Sequence, residues 1–437
     1  MTATNECKGF RKSTLAEFRA DPVGFLRRAA DSLEPTAQFK IGGRTLVLLK
    51  DAADIEELFV KKQLSFQKGP GLLRLRQVLG DSLLTSDDST HANNRRHFQP
   101  AFSIPKVADY GASMPILAHE LTADWRSGET VDVLREMSRM TLAILAATVF
   151  NSTAKPDHES IGAAISDNIN AVYGPLTSRP QTSTRHTSSR AELIDAMHTV
   201  LDGHTPESDD SDFVTLLYDS KLQPEQRIDE GLTFLLGGHE SVSVAMTWTW
   251  YALSQNDSVR KQLEDEIDRV NSVDLQPDLL PYTRKVIAES MRLYPPAWMF
   301  SREALVDVEI GGNRYPKGTV FIVAPCVTHV DPKYWIRPFE FNPDRWNSNQ
   351  FTLSANPRFS YFPFGGGARR CIGEQFALTE LTVVLATLSK SWRLDPLPGS
   401  TPPTFDPVVT MRPAGKLQMR LSERLRLQTS IAFPVDR

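Results

Sequence analysis

The sequence predicts a mainly helical protein with strand-forming segments early and late in the chain. Two observations carry this reading. From about Val107 to Trp250 apolar residues recur at nearly continuous helical spacing. Outside that stretch, Gly42-Gly43 and Gly311-Gly312 each interrupt a run of strand-type residues, as hairpin turns do. With 41% hydrophobic and 23% charged residues, the composition is that of a globular chain able to build a sizeable core.

Taken in order, Leu15 to Ala30 reads as helix after a cap at Ser13 or Thr14. Phe39, Ile41, Leu46 and Leu48 belong to the first hairpin, and Val308 to Val323 holds the second. Gln67 to Ser86 reads as a loop of moderate apolarity, containing Leu72, Leu75 and Val78. Pro180 to Pro206 is rich in Ser, Thr and Arg with weak periodicity, which predicts a mobile segment. Asp209 to Asp212 prefaces a short apolar helix. Pro224 opens a helix reaching about Ser254, roughly 30 residues or about 45 Å long. Gly237-Gly238 interrupts it. The pair lets another helix come close, or it widens the helix into a groove for a small ligand. Pro281 starts a further helix that Tyr294-Pro295-Pro296 stops.

A net charge of −4 gives no footing for nucleic acid. No run of 18 apolar residues offers a membrane span, and Met1 to Ala20 lacks an apolar signal core. Cys7, Cys326 and Cys371 are too few for a disulfide framework, and their odd count fits a reducing cytoplasm.

The stretch Phe364 to Gly373 concentrates the chemistry. Gly365, Gly366 and Gly367 allow a tight bend and close approach to a flat object. Cys371 follows Arg369 and Arg370 and precedes an apolar-periodic helix. Cations and a helix N-terminus both favour a thiolate, so a lowered thiol pKa is expected. Cysteine thiolate is one of the proximal ligands of haem iron. Taken singly, a lone Cys is a core residue and a glycine run a flexible or phosphate-holding loop. Taken together, the order Phe364, Gly367, Arg369, Cys371, Gly373 resembles the haem-binding loop of the cytochrome P450 family. That pattern, Phe-x-x-Gly-x-Arg-x-Cys-x-Gly, is matched at every fixed position.

Further motifs resemble the family in order. Gly237-Gly238-His239-Glu240-Ser241 is similar to its oxygen-binding motif, with Ser241 where Thr is usual. The resemblance implies that Glu240 and Ser241 relay protons; serine keeps the hydroxyl but lacks the methyl that restrains its rotamer. Glu289-Ser-Met-Arg292 matches Glu-x-x-Arg, and Arg345 is the implied third partner of a buried network behind the haem loop. His91 and Arg95, four apart on one helix face, with Arg302 and Arg369, are the implied holders of the haem propionates. Phe364, Gly365 and Gly373 complete the implied cofactor contacts. Leu72, Leu75, Phe234, Ala297, Trp298, Met299, Phe300, Val409 and Thr410 are the implied pocket wall, with core packing the alternative for some.

The resemblance spans about Leu15 to Leu421. It implies one domain over residues 1–437, mainly α with a small β-rich lobe from about 36–60, 300–330 and 400–421. Haem b would lie between the long helix and the Cys371 loop. Dioxygen would be co-substrate in oxidising a small organic natural product by hydroxylation or by ring closure and coupling. Electrons would come from NAD(P)H through a ferredoxin or flavodoxin and its reductase, docked on basic surface that includes Arg370. The expected protein is a cytoplasmic monomer without nucleic-acid partner or membrane anchor. Rival classes are a peroxide-driven or redox-neutral haem-thiolate enzyme and a non-enzymatic haem sensor. The lid over 152–225 and the substrate are not legible.

Overall fold

The protein is described from a computed structural model covering residues 14–31, 36–41, 43–154, 158–173, 186–205, 212–271, 275–347 and 357–424. Helices dominate, and small sheets flank them. The N-terminal helical stretch is two helices, Thr14–Ala20 and Pro22–Ala30. Asp21 breaks it, because its carboxylate caps Gly24 N–H while Pro22 occupies the first turn of the second helix.

The principal sheet has five strands in the spatial order Thr36–Ile41, Arg44–Leu49, Val320–Val323, Phe300–Ala304 and Phe66–Lys68. The first hairpin forms as expected, with Phe39 opposite Leu46. Arg44–Leu49 pairs in parallel with Val320–Val323, so early and late segments share this sheet. Its alternation is legible in burial. Val47, Leu49, Phe321 and Val323 enter one core cluster, while Leu48, Ile322 and Ala324 enter another on the opposite face.

Two expectations change here. The second hairpin is only Val308–Ile310 with Asn313–Tyr315; a turn at Gly318 then sends Val320–Val323 into the principal sheet. The stretch Gln67 to Ser86 is not all loop. Phe66–Lys68 is a strand, and Pro70–Leu73 and Arg76–Leu79 are short helices. Proline at the first turn and leucines packed on the main core organise it.

The long helix runs Pro224–Ser254 without interruption and is buried along most of its length. Gly238 explains its tight packing. A Cβ there would come within 2.9 Å of Leu145 on the helix Val133–Thr148. A Cβ at Gly237 would meet nothing within 4 Å. The first glycine of the pair therefore borders open space and the second permits a close helix crossing; the helix does not widen. Residues 186–202 are helical despite their weak periodicity, and Asp212 caps the short helix Phe213–Asp219. The rest of the expected mobile segment, 180–185 and Pro206, lies outside the described residues, as do Cys7 and Asp209 to Ser211. Among the described residues no helix is long and apolar enough to cross a membrane.

Candidate active site

The Phe364–Gly373 loop is shaped by its glycines. Gly365 and Gly367 have φ of +70° and +69°, where a side chain is strained. A Cβ on Gly367 would also fall 1.8 Å from the Phe59 carbonyl oxygen, and one on Gly366 2.4 Å from the Phe359 ring. The loop closes when Cys371 N–H donates to the Phe364 carbonyl at 3.0 Å. Outside support comes from Gln63, which accepts from Ala368 N–H at 2.9 Å, and from Arg95, which donates to the Arg370 carbonyl at 2.6 Å. Gly373 then caps the helix Glu374–Ser389.

Cys371 is an exposed free thiol on this loop. Its pKa is not lowered. Desolvation by the surrounding protein pushes the thiol up, with Glu374 adding to it, against the Gly373 N–H and the charges of Arg95 and Arg370. The sequence expectation counted two cations and a helix end. It omitted the carboxylate in that helix's first turn, which pairs with Arg370. Bound metal would ionise the thiol outright, since a coordinating sulfur is deprotonated by the ion itself.

Behind the loop, Glu289, Arg292 and Arg345 meet as a network that is 0%, 0% and 2% exposed. Arg292 donates to both Glu289 oxygens, at 2.8 and 2.9 Å, and Arg345 Nε donates at 2.7 Å. Trp346 Nε1 and Asn342 N–H complete the carboxylate's shell. The remaining guanidinium protons go to the carbonyls of His329, Ile336, Arg337, Pro338 and Glu340. His329 carries the network to the loop, because its ring Nε2 accepts from Phe362 N–H at 2.9 Å. Burial holds that imidazole's pKa near 3, so it stays a neutral acceptor.

A third group is cationic. Lys68 and Arg302 are direct cross-strand partners, an arrangement that like charges disfavour. Arg369 joins them through the strand holding Lys68, donating to the Phe66 carbonyl at 3.1 Å. His91 is buried nearby; Asp87 serves the group through an ion pair to Arg369 at 2.7 Å, the buried Glu230 attracts Lys68, and Lys68 Nζ donates to the Leu83 and Ser86 carbonyls. Burial, with the mutual repulsion of Arg302 and Arg369, depresses Arg302 to about 10 and Lys68 to about 7. Burial also takes His91 to about 3, so it contributes N–H donation and no charge at neutral pH. Buried cations in excess of carboxylates are costly. The residues therefore fit an anionic group carrying more than one carboxylate, as haem does.

A pH dependence follows. The folded Lys68 pKa lies below its ordinary 10.5, so folding releases a proton between about 7 and 10.5. The cost is full below about pH 7 and is relieved as pH rises toward 10.5. Urea midpoints of haem-free protein should rise from pH 7 to pH 9, and Lys68→Met should flatten that rise. An equal rise in the variant would refute the assignment.

On the long helix, Glu240 and Ser241 point their polar atoms to different partners. Ser241 Oγ donates back to the Gly237 carbonyl at 2.6 Å. Glu240 Oε1 accepts from Thr410 at 2.6 Å and from Arg412 at 2.6 and 3.0 Å. His239, just before them, is turned to the neighbouring helix, within 3.0 Å of the Thr141 hydroxyl.

A model of the family described as Cytochrome P450 matches residues 14–420. The chain belongs to the cytochrome P450 family. The P450 is 29% identical to cyclooctatin synthase of Streptomyces melanosporofaciens over 83% of each chain. It is 31% identical to cyclooctat-9-en-7-ol 5-monooxygenase of the same organism over 77% of each. Its fold matches a six-coordinated cytochrome P450 from Thermus thermophilus with a TM-score of 0.76 and 26% identity, covering 92% and 99% of the two chains. It is therefore a haem oxidoreductase of the monooxygenase type.

The residues expected to line the P450 pocket separate into two groups. Leu75 and Trp298 are packed into cores, and Trp298 donates its indole N–H to the Val408 carbonyl at 3.3 Å. Phe234 is largely buried, stacked on Phe102 and tilted against Phe213. Leu72, Ala297, Met299, Phe300 and Val409 are partly exposed, and Thr410 is committed to Glu240. Lys68, Asp87 and Arg412 were not singled out from sequence. Lys68 and Asp87 become visible only once strand register sets them beside Arg302 and Arg369.

Proposed function

We propose that this P450 oxidises an apolar, cyclic terpenoid-class natural product, with haem b held through Cys371. The observation that carries the cofactor assignment is the exposed Cys371 thiol on a glycine-shaped loop beside an under-compensated buried cation cluster. Bound haem supplies dioxygen activation and oxidation of the substrate. Arg302, Arg369, Lys68 and His91 would hold its carboxylates, and Arg95 would brace the ligand loop through the Arg370 carbonyl. Glu240 and Ser241 are the residues that would move protons toward the open space beside Gly237. Partly exposed Leu72, Met299, Phe300 and Val409 offer an apolar wall. The names of the Streptomyces relatives, which print cyclooctatin and a cyclic alkenol, support that substrate class.

Electrons would reach the site from a separate ferredoxin or flavodoxin with its reductase. A second reading, peroxide-driven turnover, is favoured by one observation: Glu240 and Ser241 each bond elsewhere, so no relay joins them in this arrangement. Reduced protein treated with carbon monoxide should absorb near the red-shifted position given by an anionic sulfur ligand, and Cys371→Ala should abolish it. Cyclic terpenoid alcohols and hydrocarbons should shift the ferric Soret band. Product formation with reductase and dioxygen, rather than with peroxide alone, separates the two readings. An unshifted carbon monoxide band in the parent would overturn the Cys371 assignment.

A further inference from the structure

Residues 80–87 cross between two parts of the site. Before them come Leu72 and Leu75, and after them comes the helix Asp88–Phe98, which carries His91 and Arg95. The crossing is buried although polar: Ser82, Thr85 and Ser86 are at most 1% exposed. One turn of the long helix grips it. Asp229 accepts from Asp81 N–H, Thr233 donates to the Ser82 hydroxyl at 2.6 Å, and Glu230 accepts from Leu83 N–H at 2.9 Å.

Glu230 differs from its two neighbours. It is 0% exposed, and its second oxygen accepts from Asn94 Nδ2 at 2.7 Å. One carboxylate thus holds both the crossing and the helix of His91. Leu83 is held again from the other side, because its carbonyl accepts from Lys68 Nζ at 2.9 Å. The Ser86 carbonyl takes a second Lys68 proton. Farther along, Asp87 accepts from Lys68 N–H and pairs with Arg369. A connected path therefore runs from the long helix through Leu83 to the Lys68 head, with a branch through Asn94. Glu230 occupies its place at a cost. Burial lifts its pKa to about 7 against the pull of Leu83 N–H, Asn94 and Lys68. A well-packed apolar side chain of similar size would serve local stability at least as well.

We propose that Glu230 is a positioning residue for the cofactor: through the Leu83 peptide it fixes where the Lys68 ammonium stands, and through Asn94 it fixes the helix of His91 and Arg95. Haem carboxylates would then meet a preset group of donors. Glu230 acts through these residues and not by contact. This inference rests on the reading of Lys68 and His91 as holders of those carboxylates.

The test uses ferric haem-loaded protein with apomyoglobin as acceptor, and haem loss is followed at the Soret band. Glu230→Leu should lose haem about tenfold faster, the low end of what removing a supporting partner costs a metal site. Glu230→Gln should stay near the parent rate. Its amide oxygen accepts from Leu83 N–H, and its NH2 donates to a turned Asn94 side chain. Lys68→Met should also lose haem faster, and the Lys68→Met, Glu230→Leu double variant should fall short of the product of the two effects. The haem propionate bending bands of the resonance Raman spectrum should shift in Glu230→Leu but not in Thr233→Val, which loosens the same crossing without touching either oxygen of Glu230. Should Glu230→Leu not fold, Asn94→Leu removes one bond at a half-buried position and should shift the same bands. A parent-like rate and spectrum in Glu230→Leu, or in Asn94→Leu where it stands in, with Lys68→Met fast, would overturn the proposal alone. Equal haem loss from the Gln and Leu variants would do so too, since charge and not grip would then matter. Multiplied effects in the double variant, or an equal band shift in Thr233→Val, would have the same force. Parent-like haem loss from Lys68→Met would overturn the reading of Lys68 and the proposal with it.

Discussion

Glu289→Ala should yield protein purified without haem and about 3–5 kcal/mol less stable, the usual cost of orphaning buried charge. Glu289 is the one carboxylate between two guanidinium groups, and five donors converge on it from Arg292, Arg345, Trp346 and Asn342. Alanine leaves two arginines buried without the carboxylate that neutralises them. The damage travels along a defined route. Arg292 holds the His329 carbonyl, and the His329 ring holds Phe362 N–H, two residues before Phe364 opens the ligand loop. Arg292→Ala should behave alike, because it leaves Glu289 short of two donors. Soret absorbance per mole of protein and urea denaturation check both variants. Normal haem content in either would refute this role.

Gly367→Ala should cost about 3 kcal/mol or more, at or above the upper end of ordinary single substitutions. Two penalties coincide at this position. A positive φ costs a side chain about 1–2 kcal/mol. The added carbon would also overlap the Phe59 carbonyl, which is backbone and has no rotamer to change. Gly43→Ala is the internal control. Its φ is +79° but nothing lies within 4 Å, so only the first penalty applies. Haem content should fall at least tenfold in Gly367→Ala, given that the strained segment carries the ligand four residues on. It should be unchanged in Gly43→Ala. Equal behaviour of the two variants would show that the Phe59 contact carries no weight.

What could be read from sequence was local or fixed by motif. The long helix announced itself through Pro224 and an apolar pattern, and its extent, Pro224–Ser254, follows that pattern closely. The first hairpin was set by residues adjacent in the chain. Glu289, Arg292 and Arg345 meet as their motif order implied. Features set by pairing between distant segments stayed hidden. Val320–Val323 looks like the return of a hairpin, and only the parallel partner Arg44–Leu49 moves it elsewhere. Lys68 reads as a loop lysine until the fold buries it, with Arg369 and its strand partner Arg302 adding to the depression of its pKa. The direction of the Cys371 thiol failed for a related reason. Helix-end and charge effects can be counted along the chain, whereas desolvation depends on everything packed around the sulfur.

The parallel pairing of Arg44–Leu49 with Val320–Val323 carries a consequence for biogenesis. During synthesis the early hairpin leaves the ribosome long before its central partner exists, and its edge stays open throughout. Lys68 likewise meets Arg302 only after most of the polypeptide has been made. Closure of so distant a pairing is slow. The nascent chain is therefore exposed to aggregation through that bare edge for most of translation, and cofactor capture becomes a post-translational event.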